Sequence, residues 1–243
     1  MTLPVPAYVQ IDGLRSSSIR YRWDDWDVEA VDYPVDEALH ERLNSMSQRA
    51  AAAFAIAACE WVVYRFSKLE SDARLRQYIE AAWAQVCDFR YATHFDIDVD
   101  QWQGPVRGPL GVSIRRVKFA LRKAEVEADG AWSAARLSKL VEHVLPDAAA
   151  YVTWRDCVID RFVRLYPFDI NESLGDPVPW QFADPAYETR IEDAERLLND
   201  FLRSLDLNDN PFLNTPGIMV AQGFAGKAYI FDLKEDRRRR FEW

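Results

Sequence analysis

The sequence predicts a mainly α protein, a bundle of about six helices with small β elements near the N- and C-termini. Three observations carry that expectation. Residues 37–69 contain no glycine or proline and present alanine-rich faces that let neighbouring helices approach closely. Residues 71–92 set Leu75, Ile79, Ala82, Trp83, Val86 and Phe89 at three- and four-residue spacing. The two ends of the chain instead alternate apolar and polar side chains with the period of a strand.

Taken in order, Val9 and Ile11 alternate with Tyr8 and Gln10, and Ile19, Tyr21 and Trp23 alternate with Arg20 and Arg22. The turn-rich stretch 13–18 between them predicts a hairpin of 8–12 with 19–23. Residues 24–37 follow with seven acids and no lysine or arginine, and Asp36 stands where it caps a helix beginning at Glu37. That helix is expected to run to Leu69. A second, from Ser71 to about Ala92, has Glu70 and Asp72 at its positive end. The two should pair as an antiparallel hairpin.

Residues 94–102 return to period two, as a short strand or extended loop, and prolines at 105 and 109 break the chain. A third helix covers 112–128, with Gly130 close to its end. A fourth starts near Ser133 and ends before Pro146. The fifth runs from an Asp147 cap to Leu165, where Pro167 stops it. A loop rich in proline and aromatics occupies 167–186, and a sixth helix covers 187–205. Turn signals at Asn210-Pro211 and Pro216-Gly217 precede a strand-like 228–233. Residues 1–243 are expected to form a single helical domain, with 101–109 the place where it would subdivide.

Composition narrows the function. An apolar content of 49% over 243 residues supports a core without disulfides or metal. The three cysteines form no CxxC pair. Cys59, Cys87 and Cys157 fall inside helical patterns and are expected to be small buried hydrophobes in a reducing compartment. Residues 1–13 carry no basic region and no long apolar run, so no secretory signal is expected. The longest apolar run, 50–64, contains Glu60 and is shorter than the roughly 20 residues a membrane span needs. It is expected to be a core helix, in a cytoplasmic protein. A net charge of −9 argues against nucleic acid and against an anionic membrane surface, and it permits a basic protein partner.

Catalytic and metal motifs fail on inspection. His40 and Glu41 begin a zincin-like HERLN, but Asn44 holds the second ligand position. GFAGKA around Lys227 approaches a phosphate loop, yet alanine stands at 221 and 228 where glycine and a hydroxyl are required. GVSIR around Ser113 lacks the second glycine of a nucleophile elbow. No cofactor is expected. An alternative enzymatic reading rests on HFDIDVDQW, where His94, Asp96, Asp98 and Asp100 line one face of a strand with the oxygen donors that Mg²⁺, Mn²⁺ or Ca²⁺ prefer. The favoured reading of the same strand buries Phe95, Ile97 and Val99 and turns its acids to water.

Two basic stretches stand out. Arg107, Arg115, Arg116, Lys118, Arg122 and Lys123 carry no acid between them and offer a phosphate or nucleic-acid alternative. They also suit intramolecular pairing with the acidic run 24–37. Arginines 237–240 are expected to form a frayed tail.

The strongest site candidate is RYRWDDWDVEAVDYP. Trp23, Trp26 and Tyr33 interleave with Asp24, Asp25, Asp27, Glu29 and Asp32. Tryptophan and tyrosine dominate binding hot spots, and clustered acids steer basic partners. The expectation is therefore a non-enzymatic, acidic protein-binding module, of the kind that an immunity protein or antitoxin uses to cover a basic partner. The loop carrying Phe168, Trp180, Phe182 and Tyr187 is a second aromatic surface of the same type.

Overall fold

In the computed structural model, residues 3–92, 101–125, 129–224 and 228–240 are described. Among them the chain forms ten α-helices: α1 (Glu29–Asp32), α2 (Glu37–Asn44), α3 (Gln48–Phe66), α4 (Arg74–Cys87), α5 (Gly104–Glu125), α6 (Ala131–Val144), α7 (Ala149–Leu165), α8 (Ala194–Ser204), α9 (Pro216–Ala221) and α10 (Leu233–Arg240). No β-strand occurs among the described residues, which corrects the expected β elements at both ends. Among the described residues extended pairing is limited to isolated bridges, Met46 with Pro167 and Ala92 with Leu213.

The alternation at the ends has another cause. Near the N-terminus Val9 and Leu14 are buried against helices, and Ala7–Val9 is a 3-10 turn. The Arg65 guanidinium donates to the carbonyls of Ser16 and Ser18, supplying hydrogen bonds that a partner strand would otherwise give. Near the C-terminus the Asn199 side-chain amide takes the place of a ladder rung. Its Oδ1 accepts from the Phe231 N–H at 2.8 Å and its Nδ2 donates to the Phe231 carbonyl at 3.0 Å.

Several helix boundaries differ from those expected. The expected helix 37–69 is two, because Ser45–Ser47 leaves the helical path to pair with the chain at 166–168: the Ser47 N–H donates to Tyr166 and the Phe168 N–H to Ser45. Ser47 then caps α3. Asp36 caps α2 as the sequence indicated, and Asp147 accepts from the Ala149 N–H at the start of α7. Ser71 does not cap α4. The carboxylate of Asp72 accepts the Arg74 N–H there at 3.0 Å. Helix α5 begins at Gly104 and runs through Pro109, so the prolines do not break it.

Helix α3 sits at the centre, packed against α4, α5, α6 and α7. Seventeen of its nineteen residues are buried, as expected for a helix apolar on every side. Alanines 50–53, 55, 57 and 58 allow the close approach, while Phe54, Trp61 and Phe66 fill the space between neighbours. Among the described residues no helix is long and apolar enough to cross a membrane. Cys59 and Cys87 are buried, but Cys157 is exposed on the outer side of α7, against expectation.

The arginine tail is also corrected. Residues 237–240 close α10 and pair with distant acids as well as with Asp236 of the same helix, which lies 3.2 Å from Arg240. Arg237 and Arg240 bond Asp176, and Arg239 bonds Asp88 at 2.6 Å. The buried Arg49 of α3 holds Asp236 through two bonds of 2.7 and 3.0 Å, which fastens α10 to the central helix.

Candidate functional site

The segment 23–33 leaves the core as a turn followed by α1, and its residues divide by exposure. The Asp24 side chain accepts the Trp26 N–H at 2.9 Å, and the Asp27 N–H closes on the Asp24 carbonyl at 3.2 Å. This aspartate turn projects Trp26 into solvent, where 92% of the residue is exposed. Asp24, Asp27 and Glu29 are exposed around it, and Tyr33 is 49% exposed at the far end.

Three of the eight residues hold the segment in place. The Trp23 indole N–H donates to Asp25 at 2.7 Å, and the same carboxylate accepts the Gly104 N–H at 2.8 Å, fixing the turn to the start of α5. Asp25 thereby sits at the positive end of that helix. The Trp23 ring occupies the space a side chain at Gly108 would need. Asp32, expected at the binding surface, is 0% exposed. Its carboxylate lies between Arg116 of α5 and Arg136 of α6, at 2.9 Å from Arg116 Nε and 2.6 Å from Arg136. Burial lowers the pKa of the Arg116 guanidinium, and Asp32 opposes that pull.

Sequence reasoning missed the residues that complete this face. Trp23, Trp26, Trp102, Gly108, Gly111 and Arg115 border a hollow of about 260 Å³. Trp102 lies over Gly111, where an added Cβ would stand 3.1 Å from its own. Glycines three apart on one helix side are the sequence signal for such a close approach, and 108 and 111 carry it. Farther along, Tyr33 contacts Trp132 with ring centres 6.3 Å apart, and His40 meets Trp132 edge-on at 5.1 Å. His40 Nε2 lies 3.1 Å from the exposed Asp129 carboxylate. Acids and aromatic rings therefore continue from α1 onto α2 and α6.

The other candidates fare differently. Of the second aromatic loop, Phe182 is fully buried, Trp180 and Tyr187 are half-buried, and Phe168 is exposed. The basic stretch is divided: Arg107 pairs with Glu70 at 2.5 Å and Arg116 with Asp32, while Arg115 and Arg122 are exposed. The intramolecular pairing with the acidic run thus exists at Asp32. His94, Asp96, Asp98 and Asp100 lie outside the described residues, as does the side chain of Lys123. Among the described residues no group of three or more histidines, cysteines or acids could hold a metal ion. Buried thiols offer little nucleophile: burial pushes Cys59 up to about 12. Comparison of the chain with known proteins finds no matching family model, no matching curated protein and no matching solved structure.

Proposed function

We propose that the protein is a non-enzymatic binding module whose acidic, aromatic face recognises a basic segment of a partner protein, with Trp26 as the anchor. The observation that carries this reading is the exposure of Trp26 on a turn ringed by Asp24, Asp27 and Glu29. An indole left in water forgoes roughly 1.5–3 kcal/mol of burial energy, which a contact recovers. The aspartate turn holds the backbone that carries the ring, so covering it orders two side-chain torsions and little else.

The chemistry of the face selects the partner. Arginine and lysine are attracted to the faces of tryptophan rings, and Trp26 presents such a ring to solvent at the edge of the hollow. The surrounding carboxylates and the net charge of −9 steer a basic surface toward it. A module of this kind acts by occupation. Where the covered surface is the working face of a toxin, the result is neutralisation, the antitoxin-like form of the same reading.

The test compares proteins captured from the source cell by the native chain, by Trp26→Ala and by a combined Asp24→Asn, Asp27→Asn, Glu29→Gln variant. A basic protein retained by the native chain and lost from both variants supports the reading. Identical captures by all three would refute it.

A further inference from the structure

A second cavity lies away from the acidic face. A cleft of about 360 Å³ opens between the N-terminal segment, α3 and α4, with Leu3, Val9, Val63, Leu75 and Ile79 among its walls. Glu60 also lines it, although it belongs to the buried face of α3 and is 5% exposed. An acid inside an apolar helix face is costly unless something compensates it.

The compensation present is neutral. The Tyr8 hydroxyl donates to Glu60 Oε2, and the Trp83 indole N–H donates to Oε1 at 3.2 Å. Among the described residues no cation bonds to the Glu60 carboxylate. Burial pushes its pKa up to about 7, against the Tyr8 and Trp83 hydrogen bonds and the field of Arg76, which pull it down.

The other charges lining the cleft are engaged. Arg15 lies over the Tyr64 ring at 5.1 Å, and Arg76 donates to the Leu3 carbonyl at 2.6 Å. Glu70 and Asp72 pair with Arg107 and Arg74. Glu60 is thus the buried ionisable group of the cleft with no opposite charge bonded to it, Arg76 acting on it only through space. An apolar cleft of this volume with one such carboxylate has the composition of a small-molecule site.

We infer that the cleft binds a small amphipathic primary amine, its ammonium set against Glu60 and its hydrocarbon part lying between α3, α4 and the N-terminal segment. The ammonium supplies a bonded opposite charge, and the hydrocarbon lies along the apolar walls of the cleft. The titratable and charged groups around Glu60 that bear on this are Tyr8 of the N-terminal segment, Cys59 of α3, and Arg15 and Arg76. Asp184 acts on Tyr8.

The experiment is calorimetric titration of the full chain with hexylamine, hexanol and hexanoate at about pH 7, near the Glu60 pKa. Hexylamine is expected to bind most tightly. Glu60→Gln should weaken it about tenfold or more, the scale of a hydrogen bond to a charged group, and leave hexanol unchanged. Val63→Phe, which fills the cleft, should abolish both. In the native chain hexylamine should release roughly half a proton, seen by repeating the titration in buffers of different ionisation heat, because binding fixes Glu60 in its ionised form. Hexanol or hexanoate binding as tightly as hexylamine overturns the inference, and so does an unchanged hexylamine affinity in Glu60→Gln. If Glu60→Gln does not fold, the proton count decides: no release overturns it.

Discussion

The Tyr21 hydroxyl donates to the carbonyl of Pro105, the acceptor that Pro109 leaves without a partner in the first turns of α5. A proline inside a helix removes the N–H that would bond four residues back. Here a tyrosine from the N-terminal segment replaces it, so the helix continues where the sequence alone predicted a break. Tyr21→Phe should therefore cost about 1 kcal/mol. In a Pro109→Ala background the restored N–H takes over, and the same change should cost little. Urea unfolding of the four proteins in a double-mutant cycle measures the coupling. Equal losses in both backgrounds would show that the hydroxyl is not serving that carbonyl.

The Arg49–Asp236 pair joins the central helix to the last one, and both side chains are buried. Removing one partner leaves an uncompensated charge, so Asp236→Ala should lose about 3–5 kcal/mol. Arg237→Ala removes an exposed pair with Asp176 and should lose less than about 1 kcal/mol. Hydrogen exchange over residues 233–240 should accelerate in the first variant only. A small effect of Asp236→Ala would mean that α10 is held by its other contacts.

Glu60 makes stability depend on pH in the direction opposite to an ordinary salt-bridged acid. In the folded chain it keeps its proton to about pH 7, whereas in the unfolded chain it ionises near 4.5. Its contribution to stability is full below the lower value, falls as pH rises between the two, and stays lost above 7. Across that window the change amounts to roughly 3 kcal/mol. Glu60→Gln removes the dependence, so its stability relative to the native chain should improve between about pH 5 and pH 8. Thermal unfolding of both proteins at those values checks it, and a constant difference would place Glu60's pKa in the ordinary range.

The helices were legible in the sequence wherever the cause is local. Asp36 caps its helix, and Asp147 accepts the first N–H of α7 from one residue before the cap position, because the accepting oxygen and the donating N–H lie two or three residues apart. The apolar spacing of α4 is likewise written within fourteen residues. What escaped was set by distant partners. Asn199 pairs with Phe231 from thirty-two positions away, and so an alternating segment needs no second strand. Asp32 looks like its neighbours Asp24 and Asp27 in the sequence, yet Arg116, eighty-four positions on, draws it inward. Trp102 and Trp132 joined the candidate face through contacts that neither residue's own surroundings announce. Glu60 was recognisable as an acid needing a partner, but not that the partner would be Tyr8.

That split within the acidic segment lets the proposed binding role be tested apart from folding. Trp26→Ala removes a ring with no packing role, and its stability should match the native chain within about 0.5 kcal/mol. Asp32→Ala strips the shared partner from Arg116 and Arg136, both largely buried, and should lose about 3–5 kcal/mol. With a basic partner in hand, Trp26→Ala should chiefly raise the dissociation rate, because an anchor contact is lost once the complex has formed. Asp24→Asn with Asp27→Asn should instead slow association, and the defect should shrink as salt screens charges beyond about 10 Å. Stopped-flow kinetics at low and high salt distinguish the two. A folded Trp26→Ala protein with native dissociation kinetics would leave the exposed indole without a part in recognition.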